Sequence, residues 1–313
     1  SGMTNDELSE FKATNPMGFV RMHAAGVEAQ SVYAETLFRD AFQHADYGWV
    51  EASTALYFVN GANLAFYALL SVSEEGTELL RSEELADSPD ERTWDFTGLD
   101  HTAWAYDLHR PLEPYDERGD HPNGYGISRY LTIDELNEAE REYVRLQAGL
   151  FFLNLISPLS IGSPWLPSPA YDGLVDRWSF RFFHTLSPFG GLTGYTVALG
   201  SSEHTVGLTA QAVLTPEYAL LPGGKVTVNA LLSRRVGLSL MGEYLTQPTS
   251  VTSTEASRTT WGTGASLYFM SDIGTISLQW LYSSPGWLLG TPAMDGGHRV
   301  SVSVSPGRNG GVP

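Results

Sequence analysis

The C-terminal half of the chain repeats a two-residue pattern in which large apolar side chains alternate with small polar ones. The pattern recurs in eight segments, at 177–182, 193–199, 205–212, 225–232, 236–244, 260–269, 275–282 and 300–305. Because successive side chains of a β-strand point to opposite faces, each segment predicts a strand with one apolar and one polar face. Their succession predicts an antiparallel sheet.

A water-soluble sandwich shows the same alternation, so only the composition of the two faces can distinguish a soluble sandwich from a membrane barrel. Strand faces in water normally carry Lys, Glu and Arg, whereas the polar positions here are mostly Gly, Ser and Thr. The apolar face places aromatic residues near strand ends, as in the girdles of outer-membrane barrels. These aromatic residues are Trp178, Tyr195, Tyr244, Trp261, Phe269, Trp280 and Tyr282. The pattern favours a barrel that is more apolar outside than inside.

Residues 174–305 resemble bacterial outer-membrane β-barrel proteins as a broad class. The resemblance implies a mixed α and β fold: an antiparallel transmembrane-type barrel of about 8–12 strands, with the N-terminal helical region packed in or against it. It also implies outer-membrane lipid as the partner and the outer membrane of a Gram-negative bacterium as the location. An Arg at Leu240 or Leu278 is then expected to meet lipid and to cost roughly 2–4 kcal/mol.

The polar strand face also carries charged residues, which are expected to lie on the lumen side. They are Arg177, Arg181, Lys225 and Glu243. A small barrel leaves room mainly for side chains, which favours a packed ion-pair network over the lining of a pore.

Residues 23–157 are predicted to form an acidic, mainly helical region. The segment 24–42 has the periodicity of an amphipathic helix. The segment 49–72 fits either an apolar helix or a hairpin turning at Asn60-Gly61, and its Ala and Leu content favours the helix. A further helix is predicted to open at the capping box of Thr132 and Glu135, with a charged, wet first half and an apolar, buried second half.

Four other segments are predicted to lack regular structure. Residues 1–22 are expected to be an extended lead-in, 73–130 a long loop, 158–173 a Pro-rich connector and 306–313 a tail. A loop of that length usually marks a functional loop or disorder. The opening Ser1-Gly2-Met3 resembles the remnant of a cleaved tag, and a signal peptide is expected to have been removed before it.

Charge is distributed very unevenly along the chain. The net charge is −18, and residues 174–313 carry eight Lys/Arg against seven Asp/Glu, so the acidic excess lies in residues 1–173. Nucleic acid is an unsuitable partner for such a surface. The acidic half is expected to be a solvated face, with binding of divalent cations or cationic ligands as the alternative. The absence of cysteine excludes disulfides and thiolate metal sites.

The candidate chemistry lies in an Asp- and His-rich stretch at 98–130. Imidazole and carboxylate groups are ligands for zinc or iron, and a divalent metal here would use Asp100, His101, His109, Asp120 and His121. General acid–base catalysis would instead use His101, Asp107, His109 and His121. No known metal-binding spacing is present. The competing interpretation is that these residue types are common in polar loops because they form turns.

Two other histidines are expected to be structural or interfacial. His23 precedes an apolar helical segment and is expected to be a hydrogen-bonded core residue. His184 is expected to lie at a strand end on the apolar side.

Three functions compete on this sequence. The first is an outer-membrane barrel whose lumen is filled or capped by the helical region, with a structural or gated-transport role. The second is an outer-membrane enzyme that acts on a lipid or a surface polymer through residues 100–121, by hydrolysis or with metal assistance. The third is a soluble α+β protein that binds a small molecule, which would need the apolar strand face to pack on the helices.

Overall fold

The chain folds into helices followed by one antiparallel sheet. The computed structural model describes residues 2–43, 50–84, 90–122, 124–167, 175–201, 203–233, 235–250, 253–271, 274–291 and 295–306. The helices of these residues are α1 (Asn5–Thr14), α2 (Pro16–Gln43), α3 (Val50–Leu70), α4 (Glu74–Glu84), α5 (Asp100–His109) and α6 (Glu138–Phe151). Short 3₁₀ turns lie between the helices, and two more follow α6, at Phe152–Leu155 and Pro158–Ile161.

The sheet is an up-and-down meander of nine strands in which each strand pairs with the next in the chain. The strands are β1 (Leu166–Pro167), β2 (Arg177–Ser187), β3 (Gly190–Gly200), β4 (His204–Leu214), β5 (Leu220–Ser233), β6 (Val236–Ser250), β7 (Ser253–Ser271), β8 (Gly274–Ser283) and β9 (Gly297–Pro306). All eight segments predicted from the alternation lie within β2 to β9. The mixed fold with an antiparallel sheet is therefore confirmed.

The strand register lines up the two kinds of side chain on opposite faces of the sheet. Val228 lies opposite Leu240, and Leu240 lies opposite Ala265, so apolar residues form continuous rows across the strands. On the next position of the same strands, Asn229 lies opposite Ser239. We call these the apolar face and the polar face.

The two ends of the sheet differ. The pairing found in the described residues runs from β1 to β9 and does not join these ends. At β2 the free backbone groups are already bonded: Phe182 N–H donates to Ile156 O at 3.0 Å, and His184 N–H donates to Asn154 Oδ1 at 3.2 Å. The 3₁₀ segment after α6 therefore occupies the edge at which a further strand would pair.

Helix α2 lies against the polar face. Lys225 of β5 forms an ion pair with Glu35 in the second half of the helix, and Gln43 at its end donates to Thr205 Oγ1 of β4 at 3.2 Å. In the middle of the helix, Glu28 Oε2 accepts a hydrogen bond from Trp287 Nε1 at 3.3 Å. Trp287 and its neighbours fold inward after β8 and form an apolar cluster with Phe183, Leu192, Val213 and Leu245.

The prediction that residues 1–22 form an extended lead-in is wrong, because they form α1 and the first turns of α2. Thr4 and Glu7 make a reciprocal capping box that opens α1. The Asn15-Pro16 pair does not interrupt structure. Asn15 Oδ1 accepts from Gly18 N–H at 2.9 Å and Pro16 is the first residue of α2, a position that suits its fixed φ.

The prediction of a loop without elements at 73–130 is also wrong. This stretch contains α4, α5 and short 3₁₀ turns. Eight of the ten residues of α5 are buried, including Trp104 in the centre of the core. A helix buried on nearly all sides has no polar stripe, and its sequence therefore lacks the periodicity by which helices are predicted.

The segment 49–72 is helical, as its composition favoured, and forms α3. Asn60 and Gly61 lie within the helix instead of at a turn, and Asn60 Nδ2 donates to Gln30 O of α2 at 3.1 Å. A Cβ on Gly61 would lie 3.1 Å from Asn154 O, so the glycine allows a close approach of the segment after α6. No single helix among the described residues is long and apolar enough to cross a membrane, although Glu51–Leu70 and Glu74–Ser82, bent by 110°, satisfy length and composition as a pair.

The helix predicted to run on from Thr132 is broken into two parts. Thr132 and Glu135 form the expected capping box, but it opens only a 3₁₀ turn, and a second box at Asn137 and Glu140 opens α6. The predicted division into a wet half and a buried half is wrong. Instead, one face of α6 is buried along the whole helix, and Leu146, which lies in the half predicted to be buried, is exposed.

This burial pattern predicts nearly uniform backbone protection through α6. Glu140 and Tyr143 in the first half, and Phe151 at the end, are all fully buried. Hydrogen exchange measured by mass spectrometry should therefore give similar protection for amides 142–145 and 147–151. Fast exchange confined to 142–145 would contradict the observed packing.

The predicted boundaries after α6 are only partly within the described residues. The connector 158–173 begins with the turn Pro158–Ile161 and continues into β1. Residues 168–174, and residues 307–313 of the predicted tail, lie outside the described part of the chain.

Candidate functional site

The interior between α2 and the polar face is a charged contact region. Arg181 Nη2 lies 3.6 Å from Glu35 Oε2, and Lys225 Nζ pairs with the other carboxylate oxygen. The predicted internal ion pairs are therefore present for Arg181 and Lys225, and their partner comes from the helix. Glu243 accepts a hydrogen bond from Gln211 Nε2 at 2.9 Å instead of an Arg or Lys side chain.

Aromatic residues of α2 contact two of the cations on the polar face. The guanidinium of Arg181 lies 5.8 Å from the ring centre of Phe38, and that of Arg177 lies 5.7 Å from the ring centre of Phe42. Such contacts stabilise a cation where water is excluded. A cavity of about 40 Å³ remains between helix and strands, bordered by Glu35, Arg181 and Lys225. It has room for one or two waters and no larger solute.

The helix–sheet ion pair predicts a measurable cost when Glu35 is neutralised. Glu35→Gln would leave Arg181 and Lys225 facing each other without a carboxylate, and we expect a loss of about 1–3 kcal/mol. Glu203→Gln is the matched control, because Glu203 is exposed in the turn between β3 and β4. Urea unfolding of both variants measures the difference. Equal stability of the two variants would show that this contact does not hold the helix.

A second charged cluster is buried entirely within the helical region. Asp107 of α5 lies 2.8 Å from Lys12 Nζ and 2.8 Å from His23 Nε2, and it forms an ion pair with Arg118. All four side chains are buried. Phe19 packs edge-on against His23, with ring centres 5.2 Å apart.

The electrostatics of this cluster favour a structural role. Burial alone would raise the pKa of Asp107, but Arg118, His23 and Lys12 outweigh it and hold that pKa well below its usual range. Burial lowers the pKa of His23, and Asp107 opposes this shift. His23 Nδ1 also lies 2.7 Å from Thr97 O, so both ring nitrogens have partners. The expected structural role of His23 agrees with this geometry.

The predicted site residue His101 lies elsewhere, against the sheet. Its ring stacks on Phe151 at 5.0 Å between ring centres and meets the edge of Tyr67 at 5.1 Å. Burial lowers the pKa of His101 to about 3, so the ring is neutral near pH 7. Its Nε2 has no hydrogen-bond partner among the described residues.

His109 and His121 occupy two further, separate places. His109 is half-buried, and its Nδ1 donates to Ala105 O one turn earlier at 2.9 Å. His121 is buried and stacks on Trp94, with ring centres 4.1 Å apart. Both imidazoles therefore pack against the helical core in different surroundings.

The two remaining aspartates lie on two different parts of the helical region. Asp120 is exposed and lies in a single bridge with Ile127. Asp100 opens α5 beside α2, where a Cβ on Gly26 would lie 3.4 Å from its Oδ2. Within the described ranges, no three His, Asp or Glu side chains are grouped so that they could hold a metal ion.

His184 also differs from its expected interfacial position. It is fully buried, its ring meets Phe151 at 4.7 Å between centres, and its Nδ1 lies 2.7 Å from Thr193 Oγ1. The reason is that the segment after α6 covers this end of β2. An isolated strand pattern contains no sign of such a cover.

The apolar face bears a larger, shallow depression of about 410 Å³. Gly224 and Gly242 leave it open, and Tyr244, Trp261 and Val226 border it. No charged side chain other than Lys225 and Glu243, which belong to the polar face, contributes to its lining.

Helix α2 packs on the polar face, and no element of the described residues covers the apolar face. Leu240 and Leu278 are 47% and 45% exposed, and Val302 is 65% exposed. In total, more than a dozen large apolar side chains of β3 to β9 are exposed. No family model, curated protein or solved structure matches this chain.

Proposed function

We propose that the chain is an integral protein of the outer membrane of a Gram-negative bacterium. In this proposal β2 to β9 form the wall of a transmembrane barrel, and α2 is the plug that fills its lumen. The single observation that carries the proposal is the placement of α2 on the polar face, with the apolar face left open. Outer-membrane lipid is the partner that such a face requires.

The energetics support lipid as the solvent of the apolar face. Removing one Leu- or Val-sized side chain from water is worth about 1.5–3 kcal/mol, so a dozen in one patch represent a large driving force for burial. Soluble monomers rarely expose patches larger than a few hundred Å². Hydrocarbon satisfies this face without any protein cover.

The register supplies a second line of support. Tyr195 lies opposite Ala210, Ala210 opposite Gly224, Gly224 opposite Tyr244, and Tyr244 opposite Trp261. The aromatic residues of this row therefore lie on one line across β3, β6 and β7 of the apolar face. Aromatic side chains on the outer wall are typical of the interface between hydrocarbon and headgroups.

The interior supports a structural or gated-transport role. The cavity of about 40 Å³ beside Glu35 has no room for a solute in this conformation. Transport would require α2 to move, and its ion pairs with Arg181 and Lys225 pass through the single carboxylate of Glu35. The Glu35→Gln variant would therefore show leakage of a small solute from loaded vesicles if the role is gated transport, and none if it is structural.

The other two functions have less support. A soluble α+β binding protein would need the apolar strand face under the helices, and α2 lies on the opposite face. An enzyme acting through residues 100–121 would need its histidines around one cavity, and they lie in separate packed places. The soluble alternative also leaves the exposed apolar rows unexplained.

The experiment that tests the proposal compares the protein in detergent and in buffer. In dodecyl maltoside we expect a monodisperse species, and on removal of detergent we expect insertion into phosphatidylcholine vesicles or precipitation. Flotation with the vesicles after a carbonate wash would support integration. A monodisperse species in buffer that fails to float would overturn it.

A further inference from the structure

Helix α3 has an exposed side that no other described element covers. Its opposite side, which includes Tyr57, Leu64 and Ala68, packs on the helical core. The exposed side consists of Ala52, Ala55, Leu56, Phe58, Val59, Asn63, Phe66 and Leu69. It contains no charged residue, and charges return only at its ends, with Glu51 and Glu74.

This apolar side continues the apolar face of the sheet. The backbone of Phe182 on β2 is bonded to Ile156, and the turn that contains Asn154 touches α3 at Gly61. Phe152 and Ile156 of the connecting segment are themselves exposed, at 42% and 45%. The apolar surface therefore passes from the half-buried side chains of β2 over the exposed Phe152 and Ile156 to α3.

We propose that α3 is part of the lipid-facing wall, with acyl chains covering its exposed side at the capped edge of β2. The helical region then lies partly inside the barrel, as α2, and partly in its wall, as α3.

This inference rests on the proposed function, and site-specific spin labelling separates the two. The chain contains no cysteine, so single-cysteine variants can be labelled without background. Val59→Cys reports on α3, Leu278→Cys on the sheet face and Glu142→Cys on the exposed side of α6. Accessibility to oxygen, which concentrates in lipid, and to a water-soluble nickel chelate is measured in dilauroylphosphatidylcholine vesicles.

We expect the ratio of oxygen to nickel accessibility at Val59 to match that at Leu278 and to exceed that at Glu142 several-fold. A ratio at Val59 equal to that at Glu142, with Leu278 still in lipid, would overturn the inference and leave the proposed function intact. A label at Val59 that is shielded from both reagents would mean cover by protein, such as a second copy, and would also overturn it. If Leu278 resembles Glu142, both proposals fail. Leu56→Cys repeats the test on the same side of α3.

Discussion

Leu278→Arg is expected to reduce the free energy of folding into lipid vesicles by roughly 2–4 kcal/mol. Leu278 lies near the middle of β8 with nearly half of its side chain exposed, between Leu267 on β7 and Val302 on β9. In hydrocarbon, an arginine at that depth loses its hydration or distorts the bilayer. In water, the same change at an exposed position would stay within about 0.5 kcal/mol.

The matched control is the neighbouring residue on the same strand. Ser277→Arg places the same charge at the same depth but on the polar face, where Ser277 shares a hydrogen bond with Ser303 at 2.7 Å between hydroxyls. We expect a clearly smaller loss for this variant. Urea titration of folding into vesicles measures both. Equal effects of the two substitutions, or no effect of either, would count against lipid on the apolar face.

Asp107→Asn is expected to destabilise the helical region by about 3–5 kcal/mol, since it leaves Lys12 and Arg118 buried without a counter-charge. The amide preserves the shape of the side chain, so the loss would report on charge and not on packing. The control is Asp116→Asn, because Asp116 lies in the same region and is exposed. Thermal unfolding followed by far-UV circular dichroism gives both values. If the two variants were equally stable, the cluster would not contribute to the stability of the helical region.

The same cluster predicts how stability depends on acid. The pKa of Asp107 is held below its unfolded value, so its contribution is complete above about pH 4, the ordinary range of an aspartate. It is lost as pH falls from there toward the native pKa, because the unfolded chain binds the proton first. The free energy of unfolding should therefore fall more steeply below pH 4 in the parent chain than in Asp107→Asn. Parallel curves would contradict this assignment.

The strands were predictable because their signal is local. A two-residue alternation is complete within one strand, and residues such as Val300, Val302 and Val304 display it without any knowledge of neighbours. The helical region was less predictable because burial on several sides erases periodicity. Helix α5 is the extreme case, since Trp104 and Tyr106 are both buried although they lie on nearly opposite sides of the helix.

The candidate site was predicted by residue type and not by position. Asp107 does take part in a charged cluster, but its partners Lys12 and His23 come from α1 and α2, about a hundred residues earlier in the chain. Glu35 looked like one of several solvated charges of an amphipathic helix. Only the docking of α2 on the sheet identifies it as the counter-ion of Lys225.

The bonded edge of β2 fixes where the sheet ends on this side. Ile156 and Asn154 already hold the backbone of Phe182 and His184, so another strand can pair with this part of β2 only after the segment that follows α6 moves away. A change at Asn154 would therefore open this edge to a further strand, whereas a hairpin inserted after β9 would enlarge the sheet and leave the edge as it is.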